Sequence, residues 1–202
     1  MKVKIGILGG TFDPPHHAHL IIANESRIKL GLEKIIFLPN AVPPHKKESG
    51  LASNADRLKM IELAIADNPF FEVDDREMHR SGKSYTYDTM IEMTKEFPNA
   101  AFSFIIGGDM VEYLPKWYHI NELIKLVNFV GVNRPRYDGD APYDIEEIEV
   151  PALDISSSML RERLAAGLPI DYYVPNEVSE YIKEHHLYEK RRNLGSSQGS
   201  DA

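Results

Sequence analysis

An apolar run that stops in a glycine pair and passes at once into helical periodicity leaves a chain few ways to fold, and this chain opens on such a unit. Residues 2–8 read as a short buried strand running straight into Gly9-Gly10. From residue 16 to residue 30, apolar side chains recur at Leu20, Ile21, Ala23, Ile28 and Leu30, and Gly31 stands where a helix C-cap belongs. The alternation then returns along the chain. Strands are expected over residues 33–38, 70–73, 101–106, 128–132 and 145–150, and helices over residues 54–67, 86–97 and 120–127. Two further helices are expected near residues 157–166 and 175–185. In the helix over 54–67, Leu58, Ile61 and Ile65 form the apolar face. Strand then helix with short connections predicts an α/β fold: a doubly wound, mostly parallel sheet with helices on both faces.

No internal repeat and no linker divides the chain, so residues 1–189 are expected to form a single domain. Residues 190–202 are polar and contain Gly195-Ser196-Ser197-Gln198-Gly199-Ser200, and they are expected to be a disordered tail or a cloning scar. The segment 41–51, with Pro43-Pro44-His45-Lys46-Lys47, is expected to be a mobile basic loop.

Composition removes several classes of function. At 202 residues the chain is long enough for a sizeable core, and 43% hydrophobic with 27% charged residues is ordinary globular composition. Lys and Arg total 23 against 31 Asp and Glu, a net charge of −8. Such a chain has no broad electrostatic footprint for nucleic acid or an anionic membrane, so any polyanion must be gripped locally. There are no cysteines, which excludes disulfides, thiolate catalysis and Cys-ligated metal. No apolar stretch approaches the ~20 residues of a membrane span, and no signal peptide is visible. A soluble cytoplasmic protein is expected; a homo-oligomer stays open. The six acids between Asp138 and Glu149 read as a solvated face rather than a metal site.

The chemistry concentrates in Gly9-Gly10-Thr11-Phe12-Asp13-Pro14-Pro15-His16-His17-Ala18-His19. It sits at the carboxyl end of the first strand, where open α/β sheets bind ligands. Glycines there let backbone N–H groups approach an anion, and the next helix adds the positive end of its dipole. The segment is neither a Walker loop nor a dinucleotide G-x-G-x-x-G. His16 and His19, three apart in a first helical turn, point the same way and can meet one polyphosphate. A half-buried structural pair is the plainer alternative. A metal pair lacks the third ligand zinc usually takes, and no protein metal site is expected.

This segment resembles the G-G-T-F-D-P-x-H-x-G-H signature of the nucleotidyltransferase superfamily related to class I aminoacyl-tRNA synthetases. Ile155-Ser156-Ser157-Ser158-Met159-Leu160-Arg161 resembles the I-S-S-T-x-I-R motif of the same superfamily, while also reading as an N-cap serine cluster on an amphipathic helix. Within the superfamily, residues 2–189 are similar to the bacterial nicotinate-mononucleotide adenylyltransferases. That similarity rests on Pro43-Pro44-His45-Lys46, Ser84-Tyr85-Thr86-Tyr87-Asp88-Thr89, Ile106-Gly107-Gly108-Asp109 and Leu114-Pro115-Lys116-Trp117. Ala18 departs from the family glycine, and the added methyl is expected to cost a little nucleotide affinity rather than activity. Ser158 and Leu160 are conservative departures.

The resemblance implies a Rossmann-like nucleotidyltransferase fold and transfer of an adenylyl group from ATP to nicotinate mononucleotide, giving deamido-NAD and pyrophosphate. Mg²⁺ is expected to arrive bound to ATP. The implied catalytic residues are His16, His19, Lys46 and Arg161. ATP contacts are implied for Gly9, Gly10, Thr11, Phe12, Gly107, Asp109, Arg134, Ile155, Ser156, Ser157 and Ser158. Acceptor contacts are implied for Asn40, Lys46, Tyr85, Thr86, Trp117 and Tyr118, with Trp117 as a stacking surface for the pyridine ring. Read without the resemblance, Trp117 is more often a core residue than a ligand contact, Asp109, Thr86 and Tyr87 are helix caps, and Lys46 is equally a solvated loop lysine. Asp13 is expected to help hold its loop.

Residues 84–88 and 114–118 contain no arginine, and Lys83 and Lys116 are expected to point into solvent. Selection of nicotinate over nicotinamide is therefore expected from backbone N–H groups near Thr86 and at Trp117-Tyr118. Two other functions stand beside adenylyl transfer to this acceptor. One is transfer to another acceptor such as phosphopantetheine, or from CTP; the other is a non-catalytic nucleotide sensor. The presence of both histidines and Arg161 argues against the sensor.

Overall fold

The computed structural model describes residues 2–41, 52–80, 84–132 and 143–189. Along the chain run β1 (Val3–Gly10), α1 (His17–Leu30), β2 (Lys34–Pro39), α2 (Asn54–Ile65), β3 (Phe71–Val73) and a 3₁₀ turn at Arg76–His79. Then come α3 (Thr86–Glu96), β4 (Ala100–Gly107), α4 (Gly108–Val111), a second 3₁₀ turn at Leu114–Lys116, α5 (Ile120–Leu123) and β5 (Val127–Val132). β6 (Ile145–Ile148), α6 (Ser157–Ala165) and α7 (Asn176–Glu184) complete the described chain. Residues 42–51, with Lys46, lie outside the described residues, as do Lys83, Arg134 and residues 190–202. No described helix is long and apolar enough to cross a membrane.

The six strands lie in the order β3-β2-β1-β4-β5-β6 and every pairing is parallel. β1 is central. The chain winds outward from it through β2 and β3, then returns to β4 on its other side. That reversal leaves a crevice beyond the carboxyl ends of β1 and β4, where doubly wound sheets bind nucleotides.

Alternation along the strands divides the core. Ile5, Ile7, Ile36, Leu38, Phe102 and Phe104 face one side, covered by Met90 and Met93 of α3 and Leu123 of α5. Leu8, Ile35, Phe37, Ile105 and Val130 face the other, under Ala23 of α1 and Ile61 and Ile65 of α2. Burial on both faces is why these strands read as unbroken apolar runs. A third cluster joins Met60 of α2, Leu160 of α6 and Val178 and Ile182 of α7, and seats the two last helices against the second.

Helix boundaries follow local chemistry. α1 ends at Gly31, whose φ of 61° is the left-handed conformation glycine adopts at no steric cost. α2 starts at Ser53, whose Oγ accepts the Asp56 N–H at 3.1 Å. The helix expected over residues 120–127 stops at Leu123. Lys125 N and Leu126 N turn back to the carbonyls three residues earlier, and Val127 leaves to pair in β5. The strand expected to reach residue 150 ends at Ile148 on the sheet edge. On α2 the buried face is Arg57, Met60, Ile61 and Ile65, so the arginine one turn before Ile61 takes an inward position and Leu58 is only half-buried.

Leu160 has no exposed surface in the third cluster. Leu160→Ala is expected to lower unfolding stability by about 3 kcal/mol in urea or guanidinium titration, a loss typical of a cavity in a core that cannot collapse.

Candidate active site

A cleft of about 700 Å³ opens at the carboxyl ends of β1 and β4, within the size range of small-molecule sites. The structure gathers there the two motifs that stand far apart in sequence. Gly9, Gly10, Thr11, His16 and His19 line it from the first motif, and Ile155 to Ser158 from the second. Asn40, Tyr85, Thr86, Trp117 and Tyr118 line it from the acceptor set, with Gly107 at the end of β4 and Ala18 on α1. Asp109 lies in α4, one residue past the helix start, rather than at the N-cap position, which is Gly107.

The turn after β1 is built to leave donors free. Phe12 takes φ 50° and its ring is buried, packing on Phe37 at 5.6 Å and on the His19 ring at 5.0 Å. A Cβ on Gly10 would meet the Phe12 ring at 3.0 Å, and one on Gly9 would meet Phe104 at 3.0 Å. The glycine pair thus admits the protein's own aromatic rings as well as a ligand. Among the described residues the N–H groups of Thr11 and Phe12 make no hydrogen bond. Successive free amides around a left-handed residue form a concavity suited to an anion.

The two histidines stack at 3.7 Å, and the His16 backbone N–H donates to His19 Nδ1 at 3.2 Å. That bond makes Nδ1 an acceptor, so neutral His19 carries its proton on Nε2 and offers it as a donor. Burial holds both rings neutral: His16 titrates at about 4, lowered by desolvation and then by His17. His19 is also lowered well below the ordinary histidine value, by desolvation and then by His16. The plainer reading of the pair, a packed couple, and the phosphate reading therefore describe the same residues.

Across the turn, α6 points its N-terminus into the cleft. Ser156 Oγ caps it by accepting the Met159 N–H at 3.2 Å, and Ser157 Oγ donates to the Pro14 carbonyl at 2.9 Å. Capping leaves the first N–H groups of α6 free. Arg161 lies behind the cleft lining: its Nη1 donates to the Asp13 carbonyl at 2.7 Å, and its Nη2 to Ser158 Oγ at 3.3 Å.

Asp13 has no exposed surface and does hold the turn. Its Oδ1 accepts from the Ala52 N–H at 3.0 Å and the Tyr188 hydroxyl at 2.6 Å. Arg57 donates to the Thr11 carbonyl at 2.7 Å, the Ala41 carbonyl at 3.1 Å and Asn54 Oδ1 at 2.5 Å. Sequence reasoning missed Arg57 and Tyr188. An arginine at a helix position in register with Ile61 and Ile65 was the available signal for the first.

At the far end of the cleft, Trp117 packs edge-on against Phe104 and Phe129 at 5.9 Å each. Half-buried, it is a core residue and a wall of the cleft at once. Tyr85 and Tyr118 stack at 4.6 Å, which brings the start of α3 against the turn after Trp117. The expectation of free amides there needs one correction. The Trp117 N–H is already bonded to the Leu114 carbonyl at 2.9 Å, whereas the Tyr118 N–H is unpaired among the described residues. Lys116 is exposed, as expected, and also lines the cleft, with its ammonium 5.1 Å from the Tyr113 ring. Glu77, also missed, is a buried acid in the cleft lining; its Oε1 accepts the Thr89 hydroxyl at 2.6 Å, and burial raises its titration point.

The chain has clear relatives. The cytidylyltransferase-like family matches residues 7–163. Over 191 residues, 95% of this chain, it is 59% identical to the full length of a Listeria innocua protein named "Probable nicotinate-nucleotide adenylyltransferase". A Bacillus mycoides protein of the same name is 53% identical over 92% of this chain and 98% of its own. Among solved structures, the Plasmodium falciparum nicotinic acid mononucleotide adenylyltransferase complexed with NaAD matches with a TM-score of 0.75. That match covers 92% of this chain and 97% of the other at 24% identity, and the likeness is one of fold.

The histidine pair also sets a pH dependence. A residue neutral in the fold and protonated when unfolded stabilises fully above the unfolded value of 6.5 and loses that contribution as pH falls toward about 4. For His16 the span corresponds to a loss on the order of 3 kcal/mol. Between pH 6.5 and 4.5, wild-type stability is expected to fall more steeply than that of His16→Gln. Parallel curves in chemical denaturation would remove the histidine from the account.

Proposed function

The chain belongs to the nicotinate-nucleotide adenylyltransferases of the cytidylyltransferase-like family, and we infer that its cleft transfers the adenylyl group of ATP to nicotinate mononucleotide, releasing pyrophosphate and forming deamido-NAD. The observation that carries this reading is the meeting of two different half-sites in one cavity. A turn and a helix start with free N–H groups line it, and so does an aromatic wall of Tyr85, Trp117 and Tyr118 with the unpaired Tyr118 amide.

ATP arrives as its Mg²⁺ complex, the cation held chiefly by phosphate oxygens. An oxygen of the mononucleotide phosphate attacks the α-phosphorus in line. The new P–O bond forms as the bond to the β-phosphate oxygen breaks, and that electron pair leaves with pyrophosphate. The attacking phosphate is ionised near neutral pH, so the protein need supply no general base. Its task is alignment and stabilisation of spreading charge. In this reading the Thr11 and Phe12 amides receive the transferred group, His19 Nε2–H and His16 donate to the phosphates, and the start of α6 with Ser156 to Ser158 takes the β- and γ-phosphates. Arg161 swings from the Asp13 carbonyl to join them. Lys46 belongs with the phosphates, Asp109 with the ribose and Arg134 with the adenine by resemblance alone.

The pyridine ring lies against Trp117, and its carboxylate accepts from the first N–H groups of α3 and from Tyr118 N–H. An amide would turn its own N–H₂ toward one of those donors and lose the charge that favours a helix start.

The testing experiment incubates the protein with Mg·ATP and a panel of phosphorylated acceptors, scoring pyrophosphate and dinucleotide. Deamido-NAD formed in preference to any phosphopantetheine product is the expected result; nucleotide binding without pyrophosphate release would establish the sensor instead. His19→Ala is expected to lower kcat on the order of 10²-fold with a smaller change in acceptor KM. It is a cleaner probe than Arg161→Ala, which also unties Asp13. Trp117→Ala is expected to raise acceptor KM about tenfold and also to lower Tm, because the ring packs on Phe104 and Phe129. Trp117→Phe should recover the stability before the affinity. The preference for nicotinate mononucleotide is expected to survive Lys83→Ala and Lys116→Ala, and its loss in either would assign selection to a side-chain cation.

A further inference from the structure

The segment after α7 makes an unusual approach. His186 at φ 50° and Tyr188 at φ 67° are both left-handed, a conformation that non-glycine residues hold only when their surroundings impose it. Leu187 between them packs on the third core cluster. The outcome of this bend is specific: the Tyr188 phenol passes to Asp13, 175 residues away in sequence, and donates to Oδ1 at 2.6 Å. A tyrosine serving only to fill space would not need to place its hydroxyl on a carboxylate that solvent does not reach.

What Asp13 controls makes this more than packing. It follows Phe12, whose N–H, like that of Thr11, makes no hydrogen bond among the described residues, and Thr11 lines the cleft. Its carbonyl receives Arg161, and its Oδ2 stands 3.6 Å from the same guanidinium without a hydrogen bond of its own. Among the described residues the Oδ1 atom has two donors, the Ala52 amide and Tyr188, and so the phenol supplies half of the bonding that fixes the carboxylate's rotation. Free rotation of that carboxylate would let Oδ2 close on Arg161 and pull the arginine away from the phosphates.

We propose that Tyr188 is a positioning residue for adenylyl transfer: its hydroxyl locks the Asp13 carboxylate and thereby sets both the Thr11–Phe12 amide cradle and the resting place of Arg161. The role rests on the adenylyl-transfer reading and adds to it a contribution from the far end of the chain, beyond residue 163 where the family match stops.

Tyr188→Phe keeps the ring and removes only the donor. Tyr181→Phe is the matched control, since Tyr181 donates to Asp56 Oδ1 at 3.0 Å, away from the cleft. With Mg·ATP and nicotinate mononucleotide, Tyr188→Phe is expected to lower kcat about tenfold while acceptor KM stays within about twofold. Tyr181→Phe should turn over as wild type at a comparable Tm. Amide hydrogen exchange, read without substrate, should quicken at Thr11 to Asp13 in Tyr188→Phe alone. Asp13→Asn should cost no more in the Tyr188→Phe background than by itself, the sign of one coupled unit. The proposal is overturned by wild-type kcat in Tyr188→Phe, by unchanged exchange at the turn, or by equal losses in the two tyrosine variants. A wild-type protein that makes no deamido-NAD defeats the adenylyl-transfer reading instead, and that outcome is read on the wild type alone.

Discussion

The Asp13 carboxylate is buried without any exposed surface, and a charge so placed must be surrounded by donors or cations. Three separate stretches of chain meet that demand: the Ala52 amide ahead of α2 and the Tyr188 hydroxyl beyond α7 donate to Oδ1, and Arg161 of α6 stands 3.6 Å from Oδ2, while Arg57 of α2 braces the same turn at the Thr11 carbonyl. Satisfying one carboxylate therefore draws the last helices over the first strand's turn. The third apolar cluster then seals them there through Met60, Leu160, Val178 and Ile182. Removing a single partner would leave a buried group unmatched, which is costlier than never having had the interaction.

The sheet decides where this network can matter. With the order β3-β2-β1-β4-β5-β6, the winding reverses between β1 and β4, and their carboxyl ends cannot both be covered by the same crossover. The gap is lined by strand-end backbone, by the starts of α3 and α6, and by the Trp117 turn. The two histidines, Asn40, Glu77 and Lys116 face it, and beside them stand backbone amides and serine hydroxyls already fixed by hydrogen bonds. Such donors cost no reorganisation when charge develops, which is the condition for electrostatic catalysis.

Local order was readable in the sequence because it depends on neighbours. Gly31 ended α1, the serine cluster opened α6, and short strand-like runs located all six strands, since each signal needs only a few residues of context. The motif around Gly9 to His19 was legible for the same reason. What escaped was long-range or marginal. Tyr188 looks like any tyrosine near a helix end, and nothing within several residues says that its hydroxyl meets Asp13. Arg57 stood in plain register with Ile61 and Ile65, but a charged residue on an apolar face is usually read as an interruption. The helix expected over 120–127 failed because Val127 gains more by pairing in β5 than by extending a single-turn helix. The Trp117 amide, expected to be free, is consumed by a 3₁₀ turn that periodicity cannot reveal.

A chain of net charge −8 that must hold two phosphorylated molecules meets a problem of sign, and its structure answers it locally. Long-range attraction is weak or adverse, so the grip has to act at contact distance, where dipoles count as much as charges. Neutral histidines suit that requirement. A permanently charged pair stacked at 3.7 Å would repel and would have to be desolvated together, whereas neutral rings pack, one of them with its proton directed by the bond to Nδ1. The arginines follow the same economy. Arg57 and Arg161 are held by Thr11 and Asp13 until an anion competes for Arg161, which keeps an otherwise acidic surface from carrying an unpaired cationic cleft. The resting protein thus stores its attraction for phosphate in oriented N–H groups and in one arginine that has somewhere else to be.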